Sequence, residues 1–247
     1  MHPDDYRAAI VREGELMAAQ PSDSLDVPVP TCPGWNLERL VGHLGRVHRW
    51  AAAYLADGTE AAAGLSSGNR PPRGADVLPW YKESLEILVE ELARTDPDTP
   101  ADTFAGPGTA AFWFRRQAHE TAVHRWDAEN AVSPGQAGRI DATLAADGSE
   151  EWLTVFVPRI LSARADGRGS GSSLRLECSE TESARWTLTL GDAGPSVRRG
   201  RGGEAQAVLR GPASDLLLTV WRRTPLDSVE LTGDRACAAQ ILDLIQV

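Results

Sequence analysis

Two side chains that can act as metal ligands, Glu120 and His124, lie four residues apart in the middle of the chain. They fall within residues 110–132, a run without glycine or proline that predicts a single helix. Side chains at positions i and i+4 project from the same face of a helix, about 40° apart around its axis. A carboxylate and an imidazole arranged in this way can bind one metal ion from a single rigid element.

A neighbouring histidine, His119, does not join this pair. The His-Glu-x-x-His motif of zinc proteases would need a second histidine at position 123, where the chain has Val123. His119 and His124 are five residues apart, so they diverge by about 140° around a helix and cannot share a metal without distortion. Because two ligands hold a metal weakly, a third ligand has to come from elsewhere in the chain.

The second predicted helix, residues 37–55, offers a third ligand, because it places His43 on its inward, core-facing stripe. Zinc sites in enzymes commonly use three protein ligands and leave the fourth position open. His43, Glu120 and His124 would complete such a set. The spacing is equally compatible with ordinary bundle residues: a buried histidine bonded to a carbonyl, and a glutamate paired with Arg115 or Arg116.

The composition is that of an acidic globular protein. Its 247 residues are 42% hydrophobic, and the formal net charge of -10 argues against a nucleic-acid binder or a protein that docks on anionic lipid. No stretch approaches the roughly 20 apolar residues of a membrane span, and the acidic N-terminus is unlike a signal peptide. The three cysteines are too few and too scattered for a disulfide framework. We therefore expect a cytoplasmic protein.

Four amphipathic helices are predicted in the first part of the chain. Apolar residues recur at helical spacing in residues 3–20, 37–55, 77–94 and 110–132. Connectors rich in turn-forming residues separate them, including residues 57–76 and 95–109. Four helices with long connections are typical of a four-helix bundle, whose core often builds metal sites from facing helices. We assign residues 1–140 to this bundle.

The character of the sequence changes after residue 140. One more helix is predicted over residues 141–162, followed by a link rich in glycine, serine and arginine over residues 163–172. Short alternating runs then predict strands at residues 174–178, 185–190, 205–210 and 228–232, with helices at residues 212–221 and 235–245. Residues 141–247 are therefore predicted to form a small α+β domain with an antiparallel sheet.

Two longer patterns surround the candidate ligands. Residues 31–44 contain Cys-Pro-Gly-Trp, a short helical run and then His-Leu, and residues 119–127 contain the Glu-x-x-x-His pair. Both stretches resemble signatures of the mycothiol-dependent maleylpyruvate isomerase family. In the second domain, residues 214–218 and 221–225 resemble the sterol-carrier-like domain of the same family. The resemblance therefore covers most of the chain.

This resemblance implies a DinB-like four-helix bundle in which His43, Glu120 and His124 match the family's ligands for a divalent metal, usually zinc. It also implies mycothiol, a low-molecular-weight thiol, as cosubstrate of an isomerase or S-transferase acting on a small electrophile that carries a carboxylate. The family's C-terminal arginine matches Arg222 or Arg223, which would anchor the substrate, although the glycine that usually precedes it is absent. We expect the active site in the cleft between the two domains.

Several alternatives stay open. The same three residues could hold a metal that activates water for a hydrolase, or the protein could sequester a small apolar molecule without catalysis. Cys32 has no base at a readable spacing, so we interpret it as structural rather than as a nucleophile. Asp127 lies seven residues beyond Glu120 on the same face. There it either orients a ligand histidine or pairs with residues that neighbour Arg125.

Overall fold

The chain divides into two compact units, Met1–Gly138 and Arg139–Val247. The computed structural model describes residues 1–162, 171–181, 183–200 and 203–245, with the backbone alone described for residues 59–68. The predicted fold class is confirmed, because a helical unit is followed by an α+β unit. Within the described ranges, every helix is too short or too polar to span a lipid bilayer.

The first unit contains the four predicted helices. They are α1 (Pro3–Ala18), α2 (Leu37–Gly68), α3 (Val77–Arg94) and α4 (Ala111–Val132). α1 packs mainly against α4, and α2 packs mainly against α3 and also contacts α4. The core is formed by buried apolar side chains from these helices and from the connector after α1: Met17, Leu25, Val29, Leu37, Leu40, Val41, Leu44, Val77, Tyr81, Ala128 and Ala131. This core fixes α2 against α4, the two helices that carry the candidate ligands.

Helix α2 is longer than the predicted residues 37–55. It continues to Gly68, but Gly58 interrupts it with φ 79° and ψ -166°, outside the helical region. Glycine lacks a Cβ atom and adopts positive φ without a steric penalty, so the break falls at this position. The alanine-rich stretch that follows resumes the helix because alanine has the highest helix propensity. The prediction of a loop over residues 57–76 is therefore wrong for its first part.

A two-stranded antiparallel hairpin occupies the connector between α3 and α4, which was predicted as a loop. It consists of β1 (Pro100–Thr103) and β2 (Gly106–Thr109). The Thr103 hydroxyl donates to the carbonyl oxygen of Gly106 at 2.7 Å across the turn. The hairpin contains proline and glycine, which have low strand propensity, so the local sequence carries no strand signal.

The second unit begins with a helical segment. α5 (Ala142–Glu151) and α6 (Val157–Ser162) are joined by a π-helical stretch, Trp152–Phe156. The helix predicted over residues 141–162 is therefore present, with a widened turn in its middle. Most of the predicted link over residues 163–172, namely residues 163–170, lies outside the described residues.

A five-stranded sheet and two helices complete the second unit. The strands are β3 (Ser173–Cys178), β4 (Arg185–Gly191), β5 (Gly194–Arg199), β6 (Ala207–Gly211) and β7 (Glu230–Gly233). Their spatial order is β5-β4-β3-β6-β7. The helices α7 (Ala213–Val220) and α8 (Arg235–Leu244) both contact β3 and β6. β5, a partly exposed strand of glycine, proline, serine, valine and arginine, is the strand of this sheet that the sequence patterns missed.

The sheet is mixed, which corrects the prediction of an antiparallel sheet. β3 and β6 run parallel, with Leu174 opposite Ala207 and Leu176 opposite Leu209. The other neighbouring pairs are antiparallel. β3, β4 and β5 follow one another as a meander. The chain then returns past two strands, so β6 reaches the free edge of β3 in the same direction as β3.

Candidate metal centre

Helices α2 and α4 bring the three candidate ligands together. His43 Nε2 and His124 Nε2 each lie 3.3 Å from Glu120 Oε1. The two imidazole rings are nearly perpendicular, with centroids 5.3 Å apart. One carboxylate oxygen therefore faces two ring nitrogens, one from its own helix and one from the neighbouring helix.

The chemistry of this donor set fits a divalent metal. The ligand atoms of His43, Glu120 and His124 all lie within 4.8 Å of one another. Two imidazole nitrogens and one carboxylate oxygen are a donor combination common in catalytic zinc sites. The side chain of His124 is 10% exposed and that of His43 is 33% exposed. The cluster is thus closed around His124 and accessible at His43.

The charges of the cluster are coupled. Burial by itself would raise the pKa of Glu120, but the adjacent His124 and His43 and the Arg116 guanidinium hold that pKa well below its usual range. Burial would likewise lower the pKa of His124, yet Glu120 and Asp127 hold it well above its usual value. Glu120 is therefore an ionised carboxylate beside an imidazolium. A metal cation can replace the proton on His124 Nε2, since metal binding and proton release are linked.

Arg116 binds the second oxygen of Glu120. Its Nη2 donates to Glu120 Oε2 at 3.0 Å, and its side chain is only 6% exposed. The arginine pairing that the sequence allowed as the alternative to metal ligation is therefore present. It uses Oε2, whereas Oε1 is the oxygen beside the histidines. The two interpretations are compatible because a carboxylate has two oxygens that accept independently.

Asp127 contacts His124 at the other ring nitrogen. His124 Nδ1 lies 2.9 Å from Asp127 Oδ2, and the Thr31 hydroxyl donates to Asp127 Oδ1 at 2.7 Å. The Cys32 thiol donates to Oδ2 at 3.8 Å, so Cys32, His124 and Asp127 form a second group of possible ligands that shares His124. An aspartate at Nδ1 keeps the proton there and leaves Nε2 as the metal-facing atom. Of the two roles left open for Asp127, this geometry favours orientation of a histidine.

Two other histidines of the bundle, His48 and His119, are not part of the candidate ligand set. His48 Nδ1 lies 3.1 Å from Gln117 Oε1, and its ring packs against Tyr81 with centroids 5.6 Å apart. Burial lowers the pKa of His48 to about 4, so this histidine is neutral at neutral pH. The sequence patterns did not indicate this buried polar cluster. The ring of His119 meets Tyr6 edge to face, and His119 belongs to neither ligand group found among the described residues.

The two arginines predicted as substrate anchors lie in the turn after α7, following Trp221 in the second unit. Arg222 adopts a left-handed backbone conformation with φ 61°, and its Nη2 pairs with Asp243 at 2.7 Å. Arg223 donates from Nη1 to the carbonyl oxygen of Trp221 at 2.9 Å. These contacts are with residues of the same unit. The assignment of either arginine as a substrate anchor stays a prediction.

Two known protein-family domains match most of the chain. Residues 6–129 match the mycothiol maleylpyruvate isomerase N-terminal domain, and residues 143–240 match the MDMPI C-terminal domain. The chain belongs to the mycothiol maleylpyruvate isomerase family. This confirms the resemblance carried by residues 31–44 and 119–127. The family is named for an isomerase, so the chain is a member of an enzyme family.

Two solved structures share the fold of this family member. The crystal structure of the mycothiol-dependent maleylpyruvate isomerase aligns with a TM-score of 0.64 and 12% identity, over 94% of this chain and 93% of that chain. A histidine-to-alanine mutant of the mycothiol-dependent maleylpyruvate isomerase aligns with a TM-score of 0.64 and 13% identity, over the same 94% and 93%. At these identities the likeness concerns the fold alone. No curated protein sequence matches this chain.

Proposed function

We propose that this chain is a metal- and thiol-dependent isomerase that uses mycothiol to rearrange a small electrophile carrying a carboxylate, with zinc on His43, Glu120 and His124. In this reaction class the thiolate bonds to one carbon of a conjugated double bond, and the electron pair moves onto the adjacent carbonyl. The resulting single bond rotates, and re-formation of the double bond expels the thiolate. A thiol that stays attached makes the same protein an S-transferase.

The observation that carries the proposal is the position of Glu120 Oε1, which lies 3.3 Å from the Nε2 atoms of His43 and His124. Three donors of the types that zinc prefers converge from two packed helices. A bound divalent metal supplies a Lewis acid at which a thiol loses its proton and becomes a nucleophile. The chain then need not contribute a cysteine nucleophile of its own, which agrees with the structural interpretation of Cys32.

The residues around the ligands have distinct roles in this proposal. Asp127 Oδ2 holds the proton on His124 Nδ1, so that Nε2 is left for ligation. Arg116 donates to Glu120 Oε2 and fixes the carboxylate so that Oε1 stays beside the histidines. Trp35 packs on the ring of His43, with centroids 4.9 Å apart, and limits its rotation. Each ligand is therefore oriented before a metal binds.

Metal analysis and turnover measurements on purified protein test the proposal, with maleylpyruvate as the first substrate because the family bears its name. Glu120→Gln removes the charge between the two histidines and keeps the shape of the side chain. We expect this variant to lose bound zinc and mycothiol-dependent turnover. Glu129→Gln is the matched control, since it removes a carboxylate that binds Arg125 on the same helix; it should retain both.

Equal zinc content in wild type and Glu120→Gln would refute the assignment of the metal site to these residues. Turnover that persists without mycothiol would refute the thiol dependence and would favour a hydrolase that uses a metal-activated water. Mass spectrometry of the products distinguishes a rearranged substrate, which has an unchanged mass, from a thiol conjugate.

A further inference from the structure

A pocket of about 440 Å³ lies beside the candidate metal centre, at the start of α2. His43 belongs to both sites: it lines the pocket, and its Nε2 lies 3.3 Å from Glu120 Oε1. All the lining residues belong to the first unit, and they come from residues 35–46 and 71–73. A molecule bound in this pocket would therefore lie next to the ligands of the metal.

Three arginines line this pocket, Arg39, Arg46 and Arg73. All three are exposed, and none of them forms an ion pair with a carboxylate among the side chains that the structure describes. Glu38 is the single carboxylate among the described residues of the lining. Three arginines against one glutamate leave a surplus of positive charge in a concave surface.

This surplus contrasts with the protein as a whole, which carries a formal net charge of -10. Several arginines at other positions of the helices are paired with carboxylates, such as Arg49 with Glu83 and Arg94 with Glu91, both at 2.7 Å. An acidic protein repels anionic ligands at long range, and cations clustered in a cleft raise the local concentration of such ligands. The pocket therefore suits an anion that the protein as a whole would repel.

Trp35 orders one of these arginines. The guanidinium carbon of Arg39 lies 4.9 Å from the ring centroid of Trp35. Stacking on an aromatic ring uses the face of the guanidinium and leaves its N–H donors available at the edge. Trp35 also packs on His43 with ring centroids 4.9 Å apart. One indole thus contacts both a metal ligand and an oriented donor of the pocket.

The wall that carries Arg73 is held closely against α2. A Cβ atom at Gly42 would lie 2.9 Å from Pro71 Cγ, so only glycine at this position allows such a close approach. Pro71 and Pro72 restrict their own backbone because each proline ring fixes φ. The backbone before Arg73 is therefore rigid, and its distance from the helix is set by Gly42.

We propose that this pocket binds the carboxylate of the substrate through Arg39, Arg46 and Arg73. Guanidinium groups bind carboxylates through paired, charge-assisted hydrogen bonds. The inference rests on the proposed function, and it gives the first unit a substrate-binding role that the sequence had suggested only for Arg222 or Arg223. A small mono- or dicarboxylate anchored here keeps the rest of the molecule beside His43.

Binding of succinate, an unreactive dicarboxylate, tests the pocket without turnover. Isothermal titration calorimetry at low ionic strength is carried out on zinc-loaded protein and on metal-stripped protein from which the chelator has been dialysed. Succinamide serves as the neutral analogue. We expect succinate but not succinamide to bind in both metal states. The double variant Arg46→Gln/Arg73→Gln should bind succinate about 10- to 100-fold more weakly, because charge-assisted hydrogen bonds are lost.

The matched control is Arg7→Gln/Arg94→Gln, which removes the same charge outside the pocket and should bind succinate as wild type does. Equal affinity in the pocket variant and the control would overturn the proposal. Binding of succinate to the zinc-loaded protein alone would also overturn it, because the metal would then be the carboxylate site. Failure of the proposed function is distinguishable: mycothiol-dependent turnover would be absent while succinate binding still depended on Arg46 and Arg73.

Discussion

Replacement of Asp127 with asparagine tests whether this aspartate orients His124 as a metal ligand. Asp127 is fully buried, with Oδ2 at 2.9 Å from His124 Nδ1 and Oδ1 accepting from the Thr31 hydroxyl at 2.7 Å. Asparagine keeps the shape of the side chain but has a single oxygen. The Thr31 hydroxyl can turn to accept from the amide nitrogen, so the amide oxygen can still face His124. The negative charge that favours the proton on Nδ1 is lost.

The expected effect follows from the role of outer hydrogen-bond partners in metal sites. Loss of such a partner typically lowers metal affinity by about 10- to 100-fold, which corresponds to roughly 1.4 to 2.7 kcal/mol. Because asparagine retains an acceptor, we expect the lower end of this range, about a tenfold weaker affinity for zinc. Asp127→Ala removes the acceptor as well and should lie near the upper end.

Competition with a chromophoric zinc chelator at neutral pH measures this affinity, and circular dichroism melting curves verify that the variants are folded. Glu129→Gln, which removes another carboxylate from α4, should bind zinc like the wild type. If Asp127→Asn retained wild-type zinc affinity with an unchanged melting curve, Asp127 would not act through His124. The interpretation of the centre as an oriented metal site would then be wrong.

Two further predictions concern the stability of the helical unit. Burial lowers the pKa of His48 from 6.5 to about 4, so between these pH values the unfolded chain binds a proton that the folded chain does not. The free energy of unfolding should therefore fall as pH drops through this window, by up to about 3 kcal/mol. Urea unfolding measures it as a function of pH, and the dependence should be steeper for wild type than for His48→Asn. An equal pH dependence in the two proteins would contradict this prediction. Arg125 Nε donates to Glu13 Oε2 at 2.7 Å, and both side chains are buried. Arg125→Met removes this counter-ion, while Arg12 still binds the other oxygen of Glu13. We expect urea unfolding to show that the free energy of unfolding falls by about 3 kcal/mol, and that adding Glu13→Gln restores part of it. A decrease below about 1 kcal/mol would argue against the contribution of the pair.

The helices and the spacing of the candidate ligands depend on local rules, and for that reason they could be predicted from the sequence. An apolar residue at every third or fourth position marks the buried face of a helix. Glu120 and His124 share one face of α4 whichever helix packs against it. The family was recognised from residues 31–44 and 119–127 for a similar reason, since a signature is a property of consecutive residues.

The same local rules failed where the backbone conformation depends on strand pairing or on a φ angle that the residue type does not specify. The hairpin of β1 and β2 has low strand propensity and forms because its two strands pair with each other. The break in α2 depends on the φ angle of Gly58, and a glycine tolerates both helical and non-helical angles. The parallel pairing of β3 with β6 depends on the route by which the chain returns to the sheet.

What the sequence determined by itself was the family, the order of the main helices and of most strands, and the residue types able to hold a metal. The tertiary structure alone decided which atoms meet. Thr31 and Asp127 are 96 positions apart and share a hydrogen bond of 2.7 Å, and Arg39, Arg46 and Arg73 line one pocket although they come from two segments. Periodicity records only which face of an element is buried. The partner of a side chain on that face depends on how whole elements pack, and the energy of that packing is spread over many distant residues.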